Sequence, residues 1–279
     1  MNNIIDGKKV SEKEKENLKQ DILENNLSPS LAVIQVGDNK ASNVYVRNKK
    51  RACQYVGIKF SELKFPENIE EYILIDEIKK LNNNDDIDGI IVQLPLPSNL
   101  DAKKIVNYID PLKDVDGLTY KNVGNLVVGN DCLVSCTPSG VMKLLDEYNV
   151  DVRGKNVCIV GRSALVGIPL MHLMLNQDAT VTVCHSKTSD LKEHTLKADI
   201  LVAAVGHPNL ITEDMVKDGA VVIDVGINKV DDHLCGDVDF ESVSKKAGLI
   251  TPVPGGVGPM TVLGLLNNVV KTYKKKRKR

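Results

Sequence analysis

The sequence predicts an α/β protein of two domains, and three observations carry that reading. Short apolar runs of four to six residues alternate with longer helix-period segments in the first third of the chain. The same alternation resumes after about residue 150. Between the two series, from Pro95 to Pro138, Pro and Gly punctuate the pattern, which suits loops around a site and a domain junction.

The elements follow in order. Leu31–Val36 is an apolar strand run, and a helix is expected near Ala41–Val56, where apolar residues recur at helical spacing. Ile58–Leu63 reads as the next strand, followed by a helix near Ile69–Asn83 and a strand at Gly89–Val92. This βαβ order implies a mostly parallel sheet. In the second series, strands are expected at Val157–Val160, Thr180–Cys184, Ile200–Ala203 and Ala220–Val225, with helices near Val166–Gln177 and Thr212–Lys217. An apolar helix start at Met260-Thr261-Val262-Leu263 closes the chain. Ligands of such domains lie beyond the carboxyl ends of the strands.

Composition narrows the class. The 279 residues with 42% hydrophobic content can supply two modest cores. Lys+Arg 36 against Asp+Glu 37 leaves a net charge of -1, so the balance calls for neither nucleic acid nor a membrane as partner. The basic end, Lys271 to Arg279, reads as a frayed helix C-terminus whose cations suit the helix dipole. Six cysteines without a C-x-x-C pair read as reduced core residues. With no apolar leader at Met1–Asp6 and no run of 18 apolar residues, a cytoplasmic compartment is expected. The five histidines lack ligand spacing, so no metal site is expected.

Two segments carry nucleotide and ligand signals. Val157–Val160 runs into Gly161-Arg162-Ser163-Ala164-Leu165-Val166-Gly167, a strand, a glycine turn and a helix. The turn is not the full G-x-G-x-x-G fingerprint, and alone it is compatible with a nucleotide or with none. The next strand ends in His185-Ser186-Lys187 without the acid that would hold a ribose 2′-hydroxyl. Arg162, Ser186 and Lys187 instead offer donors where a 2′-phosphate would lie, which favours NADP. Val225-Gly226-Ile227-Asn228 would approach the nicotinamide side. Pro254-Gly255-Gly256-Val257-Gly258-Pro259-Met260-Thr261 is a rigid, bare loop that reads either as a cap on the last helix or as a ligand-facing turn.

A third group carries reactive chemistry. Within the first helix, Tyr45 and Lys49 stand four apart and share a face, as an amphipathic aromatic with a solvated lysine also would. Val92-Gln93-Leu94-Pro95-Leu96-Pro97 delivers Gln93 at the carboxyl edge of the sheet. Asp116, in Asp114-Val115-Asp116-Gly117, is either a turn residue or a carboxylate offered to a ligand.

Together, the S-x-x-Y-x-x-x-K helix, Q-L-P-L-P, D-V-D-G, G-R-S-x-x-V-G-x-P and P-G-G-V-G-P-M-T occur in one order over nearly the whole chain. The chain thereby resembles bifunctional methylenetetrahydrofolate dehydrogenase/methenyltetrahydrofolate cyclohydrolase, the bacterial FolD type. The resemblance implies a folate-binding catalytic domain over 1–136, completed by a helix at 257–279, and a Rossmann-like NADP-binding domain over 137–256. It also implies a homodimer acting on tetrahydrofolate derivatives in one-carbon metabolism. By the same resemblance Lys49 is the catalytic amine, Tyr45 packs on and orients the folate, Gln93 positions Lys49, and Asp116 holds the pterin. Gly161, Arg162, Ser163, Ser186 and Ile227 would bind NADP, with Pro254, Gly255 and Gly256 lining the folate site.

Elementary chemistry is consistent with these roles. Opening the methylene bridge by nitrogen lone-pair donation gives an iminium-like carbon from which hydride can leave, so orientation matters more than a strong base. Attack of water on the methenyl cation requires proton removal, which a neutral amine can perform. A different nicotinamide dehydrogenase would share the Rossmann half without needing Tyr45, Lys49 and Gln93 in register. A dinucleotide sensor would tolerate loss of Lys49, and an NAD-dependent folate dehydrogenase is opposed by Arg162 and Ser186.

Overall fold

The computed structural model describes residues 3–277 and divides into two compact units, neither of them contiguous in sequence. One comprises residues 13–135 and 262–279, the other residues 1–12 and 136–261.

The first unit is built on three strands. Helix α1 (Gly7–Glu24) enters it at Lys13 and is followed by β1 (Ser30–Val36), α2 (Lys40–Val56), β2 (Lys59–Phe65), α3 (Glu71–Asn82), β3 (Gly89–Val92), α4 (Ala102–Val106) and α5 (Tyr120–Val127). The strands are parallel in the order β2-β1-β3. Central β1 is buried at all seven positions and β3 at all four, which is why both read as nearly unbroken apolar runs. Edge strand β2, with Lys59, Glu62 and Lys64, carries the charge that keeps an open edge from pairing with other chains. Ile34, Leu74, Ile78, Ile90 and Ile105 are fully buried in the core between sheet and helices. The Asn39 side chain caps α2 by accepting from Ala41 N and Ser42 N.

The second unit holds a five-stranded parallel sheet. Its elements are α6 (Cys136–Glu147), β4 (Asn156–Val160), α7 (Gly167–Leu175), β5 (Thr180–Cys184), α8 (Leu191–Thr195), β6 (Ile200–Ala203), β7 (Val221–Asp224), the antiparallel hairpin β8 (Asn228–Val230) and β9 (His233–Cys235), α9 (Phe240–Val243) and β10 (Leu249–Ile250). The order is β10-β7-β6-β4-β5. From β4 the chain steps to β5 on one side and then to β6 and β7 on the other, so the strand order reverses beside β4. That reversal opens a crevice at the carboxyl ends of β4 and β6. The N-terminal residues belong here because they extend the far edge: Ile5 N donates to Ile250 O at 2.8 Å, and Ile250 N to Asn3 O at 2.8 Å.

Helix α10 (Val257–Lys276) starts in the second unit and from Val262 onward belongs to the first. There Leu265, Leu266, Val269, Val270 and Tyr273 are buried. Asn268 Nδ2 donates to Val115 O at 2.8 Å and Val134 O at 2.9 Å. Lys274 pairs with Asp21 of α1 at 2.7 Å, while Lys271 and Lys275 both bind Asp131.

Two expectations are corrected. Thr212–Lys217 is not a helix but a single 3₁₀ turn, Glu213–Met215, because Val216 is already extended and fully buried in the core of this unit. The basic end is not frayed over Lys271–Lys276, because the Asp21 and Asp131 pairs hold the last turns, and the Arg277 guanidinium lies 3.5 Å from the centroid of the Tyr273 ring. Lys278 and Arg279 lie outside the described residues. The six cysteines are free, five of them buried, and no described helix is long and apolar enough to cross a membrane.

The hydrogen bonds from Lys271 and Lys275 hold the Asp131 carboxyl well below the usual range, at about 2. A carboxyl lowered in this way stabilises the fold above its unfolded value of about 3.9 and loses that contribution as pH falls through the folded value. Both partners are exposed, so each pair contributes roughly 0.2–1 kcal/mol. Asp131→Asn should therefore lower the urea midpoint at pH 7, and its deficit against the wild type should shrink between pH 4 and pH 2. An equal deficit at pH 7 and pH 3 would show that the charges do not anchor α10.

Candidate active site

The buried stripe of α2 consists of Ser42, Val46, Cys53 and Val56. At 3.6 residues per turn Lys49 falls in the middle of that stripe and Tyr45 on its flank. Lys49 is thus drawn inward where a solvated helix lysine would point out. Its Nζ donates to Gln93 Oε1 at 3.0 Å. Gln93 is delivered by β3: its backbone N donates to Ile34 O of β1 at 2.8 Å, and its side chain is buried. Gln93 Nε2 is occupied by Leu94 O at 2.7 Å, which turns the amide oxygen toward the lysine. A carboxylate here would favour the ammonium, whereas the neutral amide holds the amine in place without adding charge. Tyr45 is 50% exposed, so much of its side chain is open to a ligand. One turn after Lys49, burial pushes the Cys53 thiol up to about 12, which leaves it inert as a nucleophile.

The D-V-D-G turn sets Asp116 in the same unit. Ile90 N of β3 donates to Lys113 O at 2.8 Å, and Asn268 of α10 grips Val115 O from the other side. The two aspartates differ in their surroundings. Asp114 is fully buried and accepts from Leu118 N at 3.2 Å, Thr119 N at 2.8 Å and Asn122 Nδ2 at 2.9 Å. Asp116 is half-buried on the turn that Asp114 organises. Gly117, at φ 69°, lies so close to the 133–135 backbone that a Cβ would stand 2.5 Å from Val134 C.

The remaining sequence-predicted residues lie in the five-stranded unit. Gly161, at φ 129°, follows β4 directly and abuts Ala204 O beyond β6, leaving no room for a side chain. Arg162 and Ser163 are exposed, and Ser163 Oγ accepts from Val166 N at 3.1 Å at the start of α7. Beyond β5, Ser186 and Lys187 are exposed on a turn closed by His185 N to Thr188 Oγ1 at 2.9 Å, with no acid among them. Ile227, just past β7, is 51% exposed. A bare glycine turn at a helix N-terminus, a guanidinium and a hydroxyl at the end of the second strand fit a phosphorylated dinucleotide. Pro254, Gly255 and Gly256 also belong to this unit. Gly255 O accepts from Lys8 N at 2.8 Å, and Gly256 N donates to Pro252 O at 2.9 Å, so the loop is braced from both sides.

Comparison with known proteins matches the sequence in two segments. Residues 5–116 match the catalytic domain of tetrahydrofolate dehydrogenase/cyclohydrolase, and residues 135–277 match its NAD(P)-binding domain. The chain is 54% identical to the bifunctional protein FolD of Hydrogenobaculum sp. (strain Y04AAS1) over 98% of its own length and 99% of that protein's. The chain belongs to the tetrahydrofolate dehydrogenase/cyclohydrolase family. Among solved structures it is similar to the FolD methylenetetrahydrofolate dehydrogenase/cyclohydrolase of Campylobacter jejuni, with TM-score 0.96 and 48% identity over 98% of this chain and 99% of that one. It is also similar to the Trypanosoma brucei FolD solved with NADP cofactor and inhibitor, with TM-score 0.94 and 38% identity over 99% and 98%.

Sequence reasoning passed over the groups that hold the candidate residues in place. Asp114 and Asn268 fix the turn that carries Asp116. A pair of buried aspartates, Asp224 and Asp237, stands beside Ile227. Asp114→Asn should destabilise the protein by about 1–3 kcal/mol, because an amide in that pocket points a donor at donors. An unchanged urea midpoint would return Asp114 to an ordinary turn residue.

Proposed function

We propose that this chain oxidises 5,10-methylenetetrahydrofolate to 5,10-methenyltetrahydrofolate with NADP and hydrolyses the product to 10-formyltetrahydrofolate, as a cytoplasmic homodimer. The observation that carries this reading is the Lys49–Gln93 hydrogen bond on the buried face of α2, in a member of a family defined by those two activities. Residues 1–136 with the helix at 257–279 form the folate-binding catalytic domain in this reading, and residues 137–256 the NADP-binding domain.

Tyr45 offers its ring to the folate, and Asp116 accepts paired N–H groups from the aminopyrimidine edge of the pterin. Pro254, Gly255 and Gly256 present main chain to the folate. NADP, when bound, accepts the hydride that leaves the methylene carbon. Gly161 and Ser163 seat its phosphates, Arg162 and Ser186 select the 2′-phosphate, and Ile227 packs on the nicotinamide side. In the oxidation Lys49 orients the substrate, and rate depends mainly on position. In the hydrolysis, water adds to the methenyl carbon and one of its protons passes to the Lys49 amine. The C–N bond to one ring nitrogen then breaks as that nitrogen takes up a proton, and loss of the remaining hydroxyl proton leaves the formyl group on the other nitrogen.

Lys49→Met keeps length and removes the amine, so cyclohydrolase activity should vanish while dehydrogenase activity falls less and methenyltetrahydrofolate accumulates. Circular dichroism matching the wild type provides the folded control. Hydrolysis of methenyltetrahydrofolate at the wild-type rate would remove Lys49 from the mechanism.

Cofactor choice is tested separately. A charge-assisted contact is worth about 1.5–3 kcal/mol, so Arg162→Ala should raise the Michaelis constant for NADP tens-fold and barely alter use of NAD. A wild-type enzyme that uses NAD and NADP equally well would overturn the assignment.

A further inference from the structure

The loops beyond β6 and β7 are held by two carboxylates that no part of the proposed chemistry uses. Asp237, fully buried after β9, takes three successive backbone N–H groups beyond β6: Val205 N at 2.7 Å, Gly206 N at 3.0 Å and His207 N at 2.9 Å. It also accepts from Asn228 Nδ2 at 2.9 Å. Asp224, the last residue of β7, accepts in turn from Gly226 N at 2.9 Å, Asp237 N at 3.0 Å and Val238 N at 2.9 Å. The two side chains thus tie together the exits of β6 and β7 and the β8–β9 hairpin. Both need bare neighbours, since a Cβ on Gly226 would strike the Asp237 carboxylate and one on Gly236 the Asp224 carboxylate. Burial pushes the Asp224 carboxyl up to about 6, against the backbone N–H groups that favour its charged form.

Three consecutive N–H groups at a strand exit form a concave donor cluster of the kind that captures phosphate. Here it lies one strand from the glycine turn of β4, whose Gly161 touches Ala204 O, the residue just before the cluster. An open cluster at that place would compete with the glycine turn for the pyrophosphate. The protein's own carboxylate fills it instead. The strand order puts the 2′-phosphate side of a dinucleotide at β5, so the nicotinamide side falls at β6 and β7, where Val205–His207 and Ile227 lie.

We infer that Asp237, braced by Asp224, is a positioning residue for the dehydrogenase reaction: it closes a second anion-binding loop beyond β6 and fixes the backbone against which the nicotinamide end of NADP is seated. This rests on the function proposed above, and the second activity of the same chain provides its control. Cyclohydrolysis consumes no NADP, and adenosine 2′,5′-bisphosphate reports the Arg162–Ser186 end alone.

The experiment compares wild type, Asp237→Asn and the milder Asn228→Ala in three measurements. These are dehydrogenase kcat at saturating NADP, cyclohydrolase kcat/KM on methenyltetrahydrofolate, and affinity for adenosine 2′,5′-bisphosphate by calorimetry. The dehydrogenase kcat of Asp237→Asn should fall at least about tenfold, and that of Asn228→Ala by a smaller factor in the same direction. The other two quantities should stay within about twofold of wild type. Dehydrogenase turnover that stays with the other two at wild-type values overturns the proposal. So does a parallel fall of all three quantities in both variants, which would make the pair a fold-stabilising element only. A wild type with neither folate activity would overturn the functional reading itself, and this proposal with it, through a result plainly different from either.

Discussion

Buried carboxylates that collect backbone N–H groups are the constraint on which the candidate residues of each unit depend. A parallel sheet leaves its working residues on loops at the carboxyl edge, and a loop that must stay bare for a ligand cannot satisfy its N–H groups by pairing with another strand. In the three-stranded unit Asp114 takes Leu118 N and Thr119 N, and in the five-stranded unit Asp237 takes Val205 N, Gly206 N and His207 N. A single buried ion facing several donors is shielded and directional at once, so the loop is rigid without an apolar cover. Tyr45, Arg162, Ser186 and Ile227 are left exposed.

The same economy of space explains the Lys49–Gln93 contact. Lys49 occupies a position in the buried stripe of α2 where an apolar residue would pack equally well, and the helix accepts it because Gln93 meets the amine at the edge of the sheet. Gln93 holds that orientation because its own amide nitrogen is bonded to Leu94 O. The chain fixes a basic nitrogen through a neutral amide that is itself held by a main-chain carbonyl.

Much of this was legible in the sequence where local chemistry forces the outcome. Buried β1, β3 and β4 declare themselves as apolar runs, and the glycine turn at Gly161 and the Q-L-P-L-P loop are written in residues with few backbone options. The S-x-x-Y-x-x-x-K spacing marks one helix face. What was not legible depends on distant partners. Asp224 at the end of Val221-Val222-Ile223 reads as a strand terminus, and only the fold brings Asp237 against Val205. Helix α1, Gly-Lys-Lys-Val-Ser-Glu-Lys-Glu-Lys-Glu at its start, is charged almost throughout and buries only Val10, Ser11 and Ile22 among its later positions, too few for a periodic signal. Thr212–Lys217 has helical composition, yet the burial of Val216 in the core draws the chain into an extended conformation after one turn.

The two helices that belong to both units have a consequence for how the molecule is made. Synthesis delivers the whole of the three-stranded sheet with Lys13–Ser135, but that unit still lacks Val262 onward, including the Asn268 amide that grips Val115 O and Val134 O. The five-stranded unit has its first twelve residues from the start and its last as soon as Thr261 leaves the ribosome. The unit whose sheet is made first is completed last, so a chain that has reached Thr261 holds every residue of the five-stranded unit and not yet every residue of the three-stranded one. Neither unit can be cut out as one continuous segment.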